Sequence, residues 1–351
     1  MPETARRALW LVPVAPLGGV ARHVLDATAA GVPGWHITVL CPEGALAARL
    51  RAQGTTVIAA RFGPEAGLGA SRRALAAAVR ASDPQIVHSH LAYADIVSAW
   101  TRLPRTARRF TTEHGIARDD GVYHRSSAQA GAMALVHRQR FRRFDGAIAV
   151  SEATRAAMIE KWRVRRSIVV IPNGVALPDG LAVREPADVA GLRILALSRL
   201  SAEKRIDRLI EAYALVRREH PAATLTVAGE GPLRDELEAR AAELGVPVAF
   251  PGFVDSEGAM ADADVVAQLS VWENCSYTLL DAVARGLRVV ASRVGGNGDI
   301  VGRDRCVDPD DLAATAAALV SAPPAPRDRL TTPGDMTAAI ARAYAGEEPE
   351  C

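Results

Sequence analysis

Two carboxylates, Glu273 and Asp281, stand eight positions apart in VWENCSYTLLDAVARG, residues 271–286. The preceding DVVAQLS (264–270) reads as a strand. Ser276 reads as the N-cap of a helix that begins near Tyr277 and ends before Gly286. Glu273 therefore falls just past the carboxyl end of a strand. Backbone N–H groups around Asn274, Cys275 and Ser276 form a mouth for an anion there. Asp281 sits about five residues into the helix, roughly 7 Å below that mouth at ~1.5 Å per residue. A diphosphate held at the mouth leaves one carboxylate on each side to accept hydrogen bonds from hydroxyl groups. On spacing alone, a loop acid and a solvated helix residue are the plainer reading.

A second set of charges has complementary chemistry. LSRLSAEKRIDRLIEAY places Arg199 and Lys204 around the turn after another strand, where a phosphate would be met. Only Lys161 and Lys204 are lysine among 42 basic residues, so a kept lysine points weakly to a need for a compact charge. Basic residues before a helix are also commonly solvated. His114, in TTEHG at a strand end, reads equally as a site residue or a structural one. Gly229-Glu230-Gly231 reads equally as a nucleotide contact or a structural turn. The arginines of HRQRFRRF (137–144) read as a solvated helix face, with membrane docking as the lesser alternative.

The elements that must position these residues alternate between strands and helices throughout. In the first half, β-rich runs fall at 8–14, 35–41, 55–60, 85–90, 107–113, 146–150 and 168–172, with helical segments such as 20–30, 69–82 and 128–144 between them. Residues 173–192 are rich in Pro and Gly and read as a linker. The second half resumes with strands at 193–198, 223–229, 247–252, 264–270 and 288–292. Strands separated by helices require parallel sheets with right-handed crossovers. The fold class is therefore α/β, with two doubly wound Rossmann-like domains facing across a cleft and ligand crevices beyond the strand carboxyl ends.

Composition narrows the partners. From Met1 to Gly180 the chain carries 24 basic and 13 acidic side chains, net +11, whereas the remainder nets −9. An anionic partner for the first domain follows. Aromatic content is 5% and the basic residues are spread over several helices, so no stacking platform for nucleic acid is visible. The scattered Cys41, Cys275, Cys306 and Cys351 have no metal-ligand spacing and read as reduced thiols of a cytosolic protein. The apolar start ALWLVPVAP, cut by Pro13 and Pro16, reads as a first strand rather than a signal peptide. No apolar run is long enough to span a bilayer.

Eight motifs in order carry a family resemblance: GGVARHVL, DPQIVHSH, FDGAIAVSEATR, IPNGV, RILALSRLSAEKRIDRLIEAYA, LTVAGEGPLRDEL, FPGFV and WENCSYTLLDAVARGLRVVASRVGGNGDIV. Along nearly its whole length the chain resembles a retaining glycosyltransferase of family 4, with the GT-B fold. The resemblance implies an acceptor-side domain at 1–175, a nucleotide-sugar-binding domain at 176–335, and a C-terminal helix at 336–351 near the interdomain hinge. It implies transfer of a sugar from a nucleotide-diphosphate donor to a hydroxyl acceptor, a glycan, glycolipid precursor or small metabolite, without metal or cofactor. Gly18 and Gly19 would close on the donor, and His90 would face the transferred sugar. Arg199 and Lys204 would neutralise the diphosphate. Glu273 would hold sugar hydroxyls, Asp281 the ribose, and Gly295 and Gly296 the far wall of the donor pocket. Asn274, Cys275 and Ser276 would meet the phosphates.

The chain departs from the family where Asn-Cys-Ser replaces the common Gly-Phe-Gly and Asp281 replaces Glu. The shorter acid bears on nucleotide choice. Asp262-Ala263-Asp264 spells the metal motif of other glycosyltransferases, but it precedes a strand and reads as a helix-end acid pair. A lipid-linked acceptor and a peripheral contact with an anionic membrane at the cytoplasmic face are the expected partners. A nucleotide-sugar epimerase on the same fold, an inactive partner subunit, and a basic nucleic-acid binder are the rival readings.

Overall fold

A computed structural model describes residues 5–116, 127–178 and 191–347, apart from the side chains of 127–132 and 134. They divide into two compact units, one running to Gly174 and resuming at Thr331, the other covering Val175–Leu330. Unit 1 contains β1 (Arg6–Leu11), α1 (Gly19–Ala30), β2 (Trp35–Cys41), α2 (Ala45–Ala52), β3 (Thr56–Ala59), α3 (Gly67–Ser82) and β4 (Ile86–His90). It continues with α4 (Ala92–Ala99), β5 (Arg108–Glu113), α5 (Ser127–Phe141), β6 (Gly146–Ala149), α6 (Glu152–Trp162) and β7 (Ile168–Val170). Unit 2 contains β8 (Arg193–Leu197), α7 (Ile206–Glu219), β9 (Thr224–Ala228), α8 (Arg234–Glu243), β10 (Val248–Gly252) and α9 (Ser256–Ala261). Then follow β11 (Val265–Gln268), α10 (Tyr277–Ala284), β12 (Arg288–Ser292), α11 (Asn297–Val301), β13 (Cys306–Val307) and α12 (Leu312–Ser321). A last helix, α13 (Pro333–Ala345), belongs to unit 1.

Both sheets are parallel. Their orders are β3-β2-β1-β4-β5-β6-β7 and β10-β9-β8-β11-β12-β13. In each, the strand order reverses beside the unit's first strand, between β1 and β4 and between β8 and β11. Crevices open at such reversals, outside the carboxyl ends of the strands. The central strands are buried on both faces and several read as apolar runs, such as Ala8–Leu11, at most 1% exposed, whereas the edge strands β3 and β10 are partly exposed. Helices cover them with one apolar stripe each. In α7 the stripe is Ile206, Leu209, Ile210, Tyr213 and Val216, and each large side chain buried contributes about 1.5–3 kcal/mol.

Most expected elements appear within a residue or two. The first strand is a correction: it runs Arg6–Leu11, not 8–14, because Pro13 has no N–H to continue a ladder. The helix expected at 128–144 stops at Phe141. The two-residue strand β13 is too short to show a period in the sequence. Of the expected linker, 179–190 lie outside the described residues. Its start is packed: Asn173 and Val175 are buried, and a Cβ on Gly174 would come within 2.7 Å of Pro333 Cα. Among the described residues no helix is long and apolar enough to cross a membrane.

Candidate functional site

At the reversal point of unit 2, β8 runs out into Ser198–Ser201 and a tight 3-10 turn, Ala202–Lys204. Arg205 follows at φ 50°, a left-handed conformation that non-glycine residues seldom adopt, and α7 starts immediately after it. That turn aims Lys204 at the loop after β11. Its ammonium donates to Glu273 Oε1, which also accepts from Ser270 Oγ at 2.9 Å. Both carboxylate bonds fall on Oε1. Lys204 and Glu273 are 22% and 14% exposed, so the pair is partly screened yet open on one side.

Glu273 is held from behind. Gly295, at φ 51°, lies so close that a Cβ there would sit 1.5 Å from the Glu273 carbonyl oxygen. Ser292 Oγ donates to the Ser270 carbonyl at 2.5 Å, and Asn297 Nδ2 donates to the Ser292 carbonyl at 3.0 Å. Gly296 is the N-cap of α11. Ser276 caps α10 as expected: its Oγ accepts from Leu279 N–H and donates to Gln268 Oε1 at 2.7 Å. The positive end of α10 therefore faces the same loop. Asn274 is buried and Cys275 half-buried within that loop.

Asp281 lies in the fifth position of α10, buried, with Arg285 Nη1 at 3.8 Å. Arg199 does not join the Lys204–Glu273 pair. It is 68% exposed and donates to Glu203 Oε1 at 2.6 Å. The Gly229–Gly231 turn has a packing reason for its glycines: Cβ atoms at Gly229 and Gly231 would lie 1.9 and 2.2 Å from the carbonyl oxygens of Ser198 and Leu200. Asp264 is the helix-end acid expected, bonded by Arg193 at 2.8 and 3.0 Å.

The reversal point of unit 1 gathers histidines. His90 ends β4, His114 follows β5, and His23 comes from the second turn of α1, whose N-cap is Gly18 and first residue Gly19. His90 Nδ1 and His114 Nε2 are hydrogen-bonded at 2.9 Å, and the His23 ring centre lies 4.7 Å from that of His114. Alternation along β4 puts His88 on the same face, stacked on His90 at 4.6 Å. Leu91, directly after His90, is held at φ 75° and ψ 149°, a region costing about 1–3 kcal/mol outside glycine. A side chain at Gly18 would meet nothing within 4 Å, so packing does not require glycine there.

The partners of His88 and His23 favour one tautomer for each ring. Trp10 Nε1 donates to Tyr344 OH at 2.9 Å, so the Tyr344 hydroxyl proton is free to go to His88 Nδ1, and His88 Nε2–H donates to Thr112 Oγ1 at 2.8 Å. Tyr344 thus pins α13 to β1 and β4. His23 Nδ1 donates to Asn173 Oδ1 at 3.0 Å, which leaves its Nε2 a lone-pair acceptor. Among the described residues, the Nε2 atoms of His23 and His90 are buried without a hydrogen-bond partner. Burial holds all four rings neutral, with His23 lowered to about 4, His88 to about 3, and His90 and His114 well below the ordinary value.

Among the described residues, His23, His90 and His114 form the group whose ligand atoms approach closely enough for a shared metal ion, all within 4.8 Å. The His90–His114 bond commits one nitrogen of each ring, which suits the cluster better to hydroxyl binding. Sequence reasoning singles out His90, leaves His114 open, and gives His23, Trp10 and Asn173 no role. The signal for His23 and Asn173 was present in GGVARHVL and IPNGV.

One reading is corrected. The arginines of HRQRFRRF do not share a solvated face. Arg140 is fully buried, 2.9 Å from both Asp95 Oδ2 and Glu113 Oε2, because Phe141 and Phe144 turn that side of α5 into the core. Burial raises both carboxyls, Asp95 to about 7.

Residues 17–177 match the family model described as Glycosyltransferase Family 4, and residues 191–322 the model described as glycosyl transferases group 1. A glycogen synthase of Mycobacterium tuberculosis is 30% identical over 353 aligned positions, covering 89% of this chain and 84% of that one. A GDP-mannose-dependent alpha-(1-6)-phosphatidylinositol dimannoside mannosyltransferase of the same species is 36% identical over 139 residues, only 37% of this chain and 36% of the relative's length. The crystal structure of the Anabaena protein HepE with UDP and glucose superposes with a TM-score of 0.71 at 21% identity, over 96% of this chain and 95% of that one.

Proposed function

Because the chain belongs to glycosyltransferase family 4 and has the GT-B fold, we propose that it transfers a hexose-type sugar from a nucleotide-diphosphate sugar to a hydroxyl acceptor, with retention at the anomeric carbon. The observation that carries this reading is the Lys204–Glu273 pair at the strand-order reversal of unit 2. Lys204 supplies a positive charge for the departing diphosphate, and the α10 N-terminus adds a partial one. Glu273 Oε2, unused by Lys204 and Ser270, is left for a sugar hydroxyl. Asp281 takes the ribose hydroxyls, and Arg199 exchanges Glu203 for a phosphate oxygen. In unit 1, the open backbone at Gly18 and Gly19 admits the donor closely. The partnerless Nε2 atoms of His23 and His90 meet hydroxyls near the reacting carbon.

These roles need neither a cofactor nor a metal. Rate enhancement comes from positioning and from charge placed where the leaving group develops its own. The phosphatidylinositol dimannoside in the name of one relative and the net +11 between Met1 and Gly180 favour a lipid-linked acceptor at an anionic membrane surface, with the protein peripheral to its cytoplasmic face.

Incubation with a panel of nucleotide sugars tests the reading. The expected result is slow release of free nucleotide diphosphate with water, faster with the right acceptor, and a drop of about 100-fold or more in Lys204→Ala. Interconversion of nucleotide sugars without release, or no turnover of any donor, would overturn it.

A further inference from the structure

A second charged feature of unit 1 lies away from the histidines. A concave pocket of about 250 Å³ is lined by Arg138 of α5, Arg142 in the turn just after it, Arg163, Arg165 and Arg166 just after α6, and the buried residues Phe141 and Val164. All five arginines are exposed, and among the described residues none of them forms an ion pair; their one side-chain hydrogen bond there is from Arg142 to Gln139 at 3.3 Å. No acid is among the lining residues. Elsewhere some exposed arginines find carboxylates, as Arg51 finds Glu43 and Arg155 finds Glu152, while others such as Arg72 and Arg73 stand on an open helix face; what sets these five apart is that they surround one concavity. Five unneutralised guanidinium groups around one concavity repel each other, and an anion with several oxygens relieves that repulsion through forked hydrogen bonds. Arg163 even occupies the left-handed position at φ 53° that closes α6, where glycine would cost less.

The surroundings indicate how the anion is presented. Leu135 precedes Arg138 by three positions, so the two share one face of α5, and Arg142 follows directly on the end of that helix. Ile159 precedes Arg163 by four, at the same end of α6. Both apolar side chains are among the most exposed of the chain, at 57% and 47%. Exposed Leu and Ile beside an arginine-lined hollow fit a surface with phosphate at its outer layer and hydrocarbon beneath.

We infer that this pocket binds the phosphorylated headgroup of an anionic bilayer lipid, with Leu135 and Ile159 entering the apolar boundary. This rests on the membrane-surface reading given above and assigns it to one site. Docking there would hold unit 1 at a bilayer through residues other than His23, His90 and His114.

Co-sedimentation with phosphatidylcholine vesicles containing about one-fifth phosphatidylglycerol tests the site at low salt. The wild type should bind these and not pure phosphatidylcholine. Arg142→Gln with Arg165→Gln should weaken binding about 30-fold, at ~1 kcal/mol per basic side chain near an anionic surface. The charge-matched control Arg72→Gln with Arg73→Gln, exposed on α3, should lose less than about three-fold. Leu135→Ser with Ile159→Ser should weaken vesicle binding but not any binding of inorganic pyrophosphate. Equal losses in the pocket and control variants would overturn the site while leaving membrane binding standing. No wild-type binding would sink both. Pyrophosphate binding without vesicle binding would make this a soluble-anion site and refute the headgroup assignment. Donor turnover in detergent-free buffer should be unchanged in all three variants.

Discussion

The buried histidines make a thermodynamic prediction that needs no knowledge of the substrate. In the unfolded chain His23 titrates near the ordinary ~6.5, whereas in the folded protein burial lowers it to about 4. The folded form thus binds fewer protons than the unfolded form between those values. Its stability is intact above pH ~6.5 and is lost as pH falls toward 4. Integrating between pH 8 and pH 5 gives a loss of about 2 kcal/mol from His23, and a similar amount from His88. Asp95 works in the opposite direction. Its carboxyl is raised to about 7, so acidification to pH 5 favours the folded state by roughly 3 kcal/mol, and the raised Glu113 has the same sign. The wild-type curve alone therefore mixes opposed contributions of similar size. The informative quantity is the difference between wild type and His23→Gln. Urea unfolding followed by circular dichroism should compare the two proteins at slightly alkaline, near-neutral and mildly acidic pH. Between the alkaline and acidic ends the variant should lose about 2 kcal/mol less than the wild type, the His23 contribution integrated above, although it starts out less stable. Curves that run parallel across the range would mean that His23 is protonated or solvated in the folded state, and the neutral-imidazole site would fall.

Gly295→Ala should displace the Glu273 backbone, since the new Cβ starts 1.5 Å from its carbonyl oxygen. A displacement of about 1 Å costs about 100-fold in kcat/KM, and steady-state kinetics within three-fold of wild type would refute the supporting role of Gly295. Asp281→Asn should weaken binding of the free nucleotide diphosphate by about 1–3 kcal/mol in calorimetry; unchanged affinity removes the ribose assignment. Chelation with EDTA should leave turnover within two-fold, whereas activity restored only by a divalent ion would give His23, His90 and His114 a metal to hold.

The architecture was legible because short apolar runs from strands buried on both faces alternate with helical segments of 3.6-residue period, and the junction at 264–286 was legible in detail. Ser276 caps α10, and Glu273 follows β11, as local rules for caps and strand ends require. Those rules act within a few residues. The partner of Lys204 lies 69 positions away, and local reasoning groups it with its near neighbour Arg199, which in fact folds back on Glu203. Arg140 misleads for the same reason. An arginine in a basic run looks solvated until α4 and β5 bring Asp95 and Glu113 to it from 45 and 27 positions away. A buried charge is recognisable only with its partners in view.

The histidine cluster shows what kind of information the missing part is. His88 and His90 alternate on one strand, which sequence can read, but a polar strand of this kind looks out of place in the core until its surroundings are known. At the reversal of the sheet Trp10 and His88 share Tyr344 from α13, His90 bonds to His114, and His23 bonds to Asn173. That arrangement directs hydrogen-bonding capacity inward and leaves two nitrogens, on His23 and His90, without partners. Buried polar atoms are seldom left so, since each carries a desolvation penalty of about 1–3 kcal/mol. The same location also holds Leu91 in a strained conformation, as Arg205 is held beside Lys204 in unit 2. In both units, then, a strained residue stands at the reversal of strand order, next to the residue that carries the proposed chemistry, although Asp83 and Arg163 show that such strain also closes helices elsewhere. What separates the two reversal points is that strain there stands beside unpartnered imidazole nitrogens in unit 1 and beside the Lys204–Glu273 pair in unit 2, where a hydroxyl or phosphate ligand gives it a reason to persist.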